Sequence, residues 1–249
     1  MTASEPVLEV HALCKHFGRV TAVDGISFAV PRGATWALLG GNGAGKTTTL
    51  SMLLGLLLPT SGTIRMLGVD MVRNRYAALP RLNFTSPYVD LPHRLTVGQN
   101  LDVYARLYGL RQRRERLGEV ARIFTLEDLW TRRYGSLSAG QRTRVSLAKA
   151  LLNEPEVLLM DEPTASLDPD SAERMRAYLR EYQRRTGATL LLASHNMLEV
   201  ERLCDFVLML KQGRIVDRGS PADLINRYGR ETLEQVFIDI ARDRTRFEP

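Results

Sequence analysis

Several features are scarce or missing in this chain of 249 residues, and each absence narrows what it can be. Cysteine is nearly absent: Cys14 and Cys204 are the only two, they form no C-x-x-C pair, and no disulfide framework follows. His11, Cys14 and His16 lie close together, but their spacing fits no common metal site. The opening MTASEPVLEV has no charged segment leading into an apolar core, so it does not read as a signal peptide. The longest apolar run, LSMLLGLLLP, is too short to span a bilayer. The chain therefore reads as soluble and cytosolic, and at a membrane another chain would have to supply the spanning helices. No internal repeat or low-complexity linker divides it. Lysine is also rare: of 34 basic residues only four are lysine (Lys15, Lys46, Lys149, Lys211).

What remains is an ordinary globular composition, 44% hydrophobic and 25% charged, enough for one sizeable core or a core plus a subdomain. The net charge of +6 suits nucleic acid, an anionic membrane face or a nucleotide. The arginines are scattered, however, as on solvated faces and in ion pairs. VLEVHAL, ISFAV and TWALLG read as strands with turns at Phe17-Gly18 and Pro31-Arg32-Gly33. TTTLSMLLGLLL reads as a helix ended by Pro59, and TIRMLG as a strand. Residues 95–153 look mainly helical, with breaks at Gly109 and Gly135. EVLLM and TLLLAS have the continuous apolarity of parallel strands buried on both faces. FVLML and GRIVDRG resemble a closing hairpin, and the segment from Ser220 reads as helical with a charged tail. The expected fold is one α/β core interrupted by a helical insert, with a short helical extension.

The sharpest local signal is Gly40-Gly41-Asn42-Gly43-Ala44-Gly45-Lys46-Thr47, a G-x-x-x-x-G-K-[ST] phosphate loop between a strand and a helix. Its glycines let backbone N–H groups close around phosphate oxygens, and the helix that follows adds its positive end. Lys46 is expected to reach the β- and γ-phosphates, and Thr47 to ligate Mg²⁺. The strand VLLM delivers Asp161 and Glu162 at its C-terminal end, where open α/β sheets bind ligands. Asp161 suits the Mg²⁺ shell, and Glu162 could polarise a water for in-line attack. His195 follows the strand TLLLAS and could donate to the γ-phosphate. In SLSAGQRTR, the small residues Ala139 and Gly140 stand between Ser138 and Gln141 at a helix start, a good N-cap with room for close backbone approach.

LSAGQ, then Asp161-Glu162-Pro163-Thr164-Ala165-Ser166-Leu167-Asp168, then Ser194-His195 form an ordered set. With the phosphate loop, this set resembles the nucleotide-binding subunit of ATP-binding-cassette (ABC) transporters over nearly the whole chain. No guanine-reading NKxD motif is present. The resemblance implies a P-loop NTPase (RecA-like) core with an N-terminal antiparallel β subdomain and an inserted α-helical subdomain. It implies a core of 1–90 and 154–219, a helical subdomain of 91–153 and a C-terminal extension of 220–249. It makes the loop from Gly40 to Thr48 the Walker A element, VLLMDE the Walker B with Glu162 as base, ASLD with Asp168 the D-loop, and His195 the switch histidine. Phe17 sits where the family stacks an aromatic on adenine, the favoured reading, with plain core as the alternative.

LSAGQ resembles the family signature LSGGQ, so Ser138, Ala139, Gly140 and Gln141 would contact ATP held by a second copy of the chain. Ala139 replaces the family's glycine. A second departure is larger: the family's glutamine ahead of an LTV-like segment is missing from Arg81–Tyr88, and Gln99 lies past Leu95-Thr96-Val97. Thr85 or Ser86 is the nearest polar substitute, and Ser86 is taken as a Mg²⁺ contact. The implied protein is an ATPase subunit on the cytoplasmic face of the membrane, working as a two-copy ATP sandwich on a separate permease. The ending TLEQVFIDIAR resembles single-cassette exporters of drugs, antibiotics and polysaccharides. A soluble cassette acting on nucleic acid or ribosomes is the second reading, disfavoured because the chain has neither a coiled-coil insertion nor a second cassette. A weakly hydrolysing regulator is the third, opposed by intact Lys46, Asp161, Glu162 and His195.

Overall fold

The alternating start pairs as an antiparallel hairpin, β1 (Pro6–Phe17) with β2 (Val20–Pro31), around Gly18 at φ 57°. In the computed structural model, residues 6–242 are described. The buried strand β3 (Thr35–Leu39) runs into the phosphate loop and then α1 (Lys46–Leu53). The apolar pattern suggested a helix continuing to Leu58, but α1 stops earlier. Gly55 (φ 67°) takes the left-handed position, and the N–H groups of Gly55 and Leu56 close on the carbonyls of Met52 and Ser51. Next come β4 (Ser61–Met66) and β5 (Val69–Asp70), which complete an antiparallel sheet in the order β2-β1-β4-β5.

The middle of the chain holds β6 (Leu82–Thr85), α2 (Val97–Leu107), α3 (Arg113–Ile123), α4 (Ala139–Ala150), β7 (Val157–Asp161) and α5 (Pro169–Thr186). The last part holds β8 (Thr189–Ser194), α6 (Met197–Leu203), β9 (Phe206–Lys211), β10 (Arg214–Gly219), α7 (Pro221–Arg227) and α8 (Leu233–Ala241). The segment from Ser220 is thus two helices, parted at Gly229 (φ 59°). The strand β6 and helices α5 and α6 were not anticipated.

The chain divides into two compact units, Met1–Ala78 with Thr189–Pro249, and Leu79–Ala188. In the first, β3 lies between β8 and β9 and is parallel to both, and β10 pairs antiparallel on β9. Leu38, Leu39, Leu190, Leu192, Val207 and Leu208 are fully buried there, each contributing roughly 1.5–3 kcal/mol of transfer free energy. In the second, β6 pairs parallel with the wholly buried β7, Thr85 opposite Met160. The apolar face of α5 follows helical spacing through Ala172, Met175, Leu179 and Tyr182. Asp168 caps its start, Pro169 begins it and Gly187 (φ 68°) ends it. Both cysteines are free thiols. No described helix is long and apolar enough to cross a membrane.

One buried charge in the second unit gives this packing a measurable pH dependence. Lys149, in the last turn of α4, is only 7% exposed. Its ammonium lies 4.8 Å and 5.3 Å from the ring centroids of Phe84 and Tyr104 and donates to Asn83 Oδ1 (3.2 Å) and the Phe84 carbonyl (3.3 Å). Burial pushes its pKa down to about 8, from 10.5 for an ordinary lysine. Between those values the unfolded chain binds more protons at this site than the folded one, so stability rises with pH. Comparing wild type with Lys149→Met by denaturant unfolding, the wild type should gain roughly 2 kcal/mol on the variant from pH 7 to pH 10. A flat difference would show that Lys149 is not desolvated.

Candidate functional site

In the first unit the phosphate loop is shaped by close backbone approaches. A Cβ on Gly40 would lie 2.5 Å from the Leu210 carbonyl oxygen, and one on Gly45 (φ 99°) 2.5 Å from that of Ala22. The N–H of Gly213, in the β9–β10 turn, donates to the Ala44 carbonyl (3.1 Å) and fixes the loop from the same side. Helix α1 starts at Gly45 with no side-chain cap and no acidic residue in its first turn. Its positive end is therefore left to whatever anion the loop receives. Lys46 is 8% exposed, and its Nζ donates to the carbonyls of Gly40 (2.6 Å) and Gly41 (3.1 Å), so the ammonium is held at the loop. Asn42, Gly43 and Thr47 are exposed, while Gly41 and Thr48 are half-buried.

Leu39 lies opposite Ser194, so Gly40 and His195 leave the sheet at the same C-terminal edge. His195 is exposed. It is bracketed by Ser194, whose hydroxyl donates to Glu199 (2.9 Å), and by Asn196, which caps α6. Phe17, at the end of β1, is 49% exposed, with the Lys15 ammonium 5.0 Å from its ring centroid. An aromatic this open is not part of the core. Sequence reasoning missed Phe237 of α8, which a Cβ on Gly41 would approach to 3.8 Å.

The second unit holds the acidic pair. Asp161 ends β7 and is 5% exposed. Glu162 follows with φ 47°, a left-handed conformation that costs a non-glycine residue about 1 kcal/mol or more and turns the chain sharply out of the strand. The parallel register carries Ser86 to the strand end beside Asp161. Ser86, Ala139, Asp161 and Glu162 share the wall of one cavity of about 160 Å³. The Thr85 hydroxyl is engaged with Ser146 (2.9 Å), and Ser86 Oγ accepts from the N–H of Tyr88 (3.3 Å). Among the described residues no three His, Cys, Asp or Glu side chains group to bind a metal alone. Magnesium needs no such cage, since one or two carboxylates with waters and substrate phosphates suffice. Buried Asp161 beside the Ser86 hydroxyl fits that demand.

Ser138 is the N-cap of α4 in a full capping box: its hydroxyl accepts from the Gln141 N–H (3.3 Å), and Gln141 Oε1 accepts from the Ser138 N–H (3.0 Å). The hydroxyl keeps its own proton to donate. Ser138 and Ala139 are exposed. Ala139 is not among the positive-φ residues, so its methyl is tolerated by the backbone. Gly140 is the constrained position, because a Cβ there would meet the Ser166 carbonyl oxygen at 2.8 Å. Asp168, two residues on from Ser166, caps α5 by accepting from the Ser171 N–H (2.9 Å), and the Ser171 hydroxyl first and that N–H second hold its carboxyl below the usual range.

The family model for ABC transporters matches residues 23–165. The chain is 40% identical over 256 residues to the Nod factor export ATP-binding protein I of Ralstonia nicotianae, covering 99% of this chain and 77% of that one. It is 33% identical over 234 residues to the linearmycin resistance ATP-binding protein LnrL of Bacillus subtilis, covering 93% and 75%. A solved ATP-binding subunit of an ABC transporter superposes with a TM-score of 0.87 at 28% identity, over 94% of this chain and 99% of that one.

The signature turn yields a paired test. Gly140→Ala should cost roughly 1–3 kcal/mol in denaturant unfolding because the Ser166 backbone must shift. Ala139→Gly should stay within about 1 kcal/mol. Equal costs would mean that Gly140 is not held against Ser166.

Proposed function

Because the chain belongs to the ABC transporter family, we propose that it is the ATP-binding and ATP-hydrolysing subunit of an exporter, acting through a separate membrane permease at the cytoplasmic face. The observation that carries this reading is the uncapped start of α1 under a braced phosphate loop, with Lys46 held at the loop and His195 at the same sheet edge. Export is supported by the relative named for Nod factor export, and the transported compound is left open. Nucleic acid is not the expected partner.

In this reading Phe17 stacks on adenine, a contact worth roughly 1–3 kcal/mol. Gly40 to Thr48 bind the phosphates through backbone N–H groups, and Lys46 moves from loop carbonyls to phosphate oxygens. Thr47, Asp161 and Ser86 would hold Mg²⁺, which would neutralise charge on the phosphates. Glu162 accepts the proton of the attacking water, and His195 donates to the γ-phosphate. Ser138, Ala139, Gly140 and Gln141 present hydroxyl and helix N-terminus to ATP held by a second copy, beside that copy's Walker A loop, and Asp168 lies in the adjoining D-loop. Two copies thus enclose two ATP molecules.

The functional division into core (1–90 and 154–219), helical subdomain (91–153) and extension (220–249) belongs to the same proposal, with residues 1–5 and 243–249 outside the described part. The segment Ser86–Arg94, where Tyr88 is 79% and Val89 42% exposed, would receive a permease helix.

Two substitutions separate chemistry from assembly. Glu162→Gln should keep ATP binding, slow hydrolysis at least about 100-fold and accumulate an ATP-bound dimer. Wild-type turnover in that variant would remove Glu162 as the base. Ser138→Arg should bind nucleotide normally as a monomer yet fail to dimerise with ATP, and weakened monomer binding would count against the assignment of the signature.

A further inference from the structure

The segment that follows Ser86 is tied to the signature turn by a network that neither phosphate chemistry nor helix capping requires. Its backbone part is a short antiparallel pairing. Thr96 bridges Arg133, the Tyr134 N–H donates to the Leu95 carbonyl (2.9 Å), and the Gly135 N–H donates to that of His93 (3.0 Å). Gly135 is pressed against His93, whose Cβ would be 3.1 Å from a Cβ on the glycine.

Its side-chain part converges on one carboxylate. Asp90 Oδ1 accepts from the hydroxyl of Tyr134, a residue only 1% exposed (3.1 Å). Asp90 Oδ2 lies 2.8 Å from His93 Nε2 and 3.9 Å from an Arg142 nitrogen. Arg142 then reaches back along the turn. Its Nε donates to the Leu137 carbonyl and its second terminal nitrogen to that of Gly135, both at 3.2 Å, and its guanidinium stands 5.8 Å from the centre of the Tyr134 ring. Leu137 directly precedes the cap residue Ser138. Asp90, Tyr134 and Arg142 also line the cavity that holds Asp161 and Glu162. A carboxylate accepting a buried hydroxyl and facing an arginine forms stronger bonds than neutral groups would. Arg142, with its planar fork, spans two carbonyls that a lysine would not.

We propose that Asp90 is a positioning residue for the signature turn: through Tyr134 and Arg142 it sets where Ser138 stands, so that displacement of the 86–94 segment displaces the signature with it. This rests on the reading that Ser138 completes the ATP site of a second copy. Asp90 itself touches no nucleotide. Its loss therefore affects assembly of the two-copy site and leaves binding to one copy alone.

The test uses the full chain carrying Glu162→Gln, in which ATP-bound dimers accumulate. Dimer formation is followed by light scattering against ATP concentration, and monomer affinity with a fluorescent ATP analogue. Adding Asp90→Asn, or separately Arg142→Lys, should raise the ATP concentration for half-maximal dimer roughly tenfold, the scale of a lost hydrogen bond to a charged group. Affinity of the monomer should be unchanged. The double variant should be no worse than the more affected single one, because both act through one network. Half-maximal dimer within twofold of the parent for both single variants, with Ser138→Arg still blocking dimerisation, overturns the role of Asp90. Dimerisation that survives Ser138→Arg overturns the signature reading itself and the inference with it.

Discussion

Helix α1 begins with no side-chain cap and no acidic residue in its first turn. Thr96, Ser138, Asp168, Asn196, Ser220 and Thr232 each cap a helix with a side chain, and α3, which has no such cap, carries Glu115 in its first turn. Among the described α-helices, α1 alone has neither device. With Gly45 at the cap position, forgoing a side-chain cap costs only about a few tenths of a kcal/mol. With no acidic residue in its first turn, this helix start favours an anion, as the proposed phosphate binding requires. The surrounding chain keeps it in place: Gly40 and Gly45 accept carbonyls where a Cβ would collide, Gly213 holds Ala44, and Lys46 covers the carbonyls of Gly40 and Gly41.

The second unit handles its helix start in the opposite way. The N-terminus of α4 is fully capped by its own Ser138 and Gln141, yet its first residues remain exposed, and Gly140 brings them against Ser166 in the loop after the acidic strand. At the acidic pair the backbone is strained: Glu162 is left-handed and turns the chain away immediately after Asp161. One helix start lacks a side-chain cap and carries Lys46, and the other is capped by its own side chains. Under the proposed two-copy arrangement these are complementary halves, the uncapped start taking the phosphates and the capped start closing over them without competing for protons or metal.

Much of this was legible in the sequence because it is local. Glycine spacing, the apolar strands ending at Asp161 and Ser194, and Ser138 three residues before Gln141 each report their own backbone. Helix α5 carries equally local signals, Asp168-Pro169 at its start and Gly187 at its end. The end of α1 was misjudged since an unbroken apolar run masks a glycine that turns left-handed. What no local pattern carries is contact at a distance. Ser166 against Gly140, Phe237 beside Gly41, and the convergence of Tyr134 and Arg142 on Asp90 join residues far apart in the chain. The surroundings of Ser86 and Thr85 are likewise visible only in three dimensions: the β6–β7 register brings Ser86 to the end of the strand next to Asp161, while Thr85 is engaged with Ser146.

The central claim is that one copy of this chain holds only half of each ATP site. Mixing two inactive full-length variants tests it most directly: Lys46→Ala, which lacks the phosphate lysine but keeps a sound signature, and Ser138→Arg, which has the reverse. ATP hydrolysis should be negligible for each alone and should return on mixing, because one composite site of the mixed dimer is intact. A mixture no more active than the sum of its parts would contradict the account.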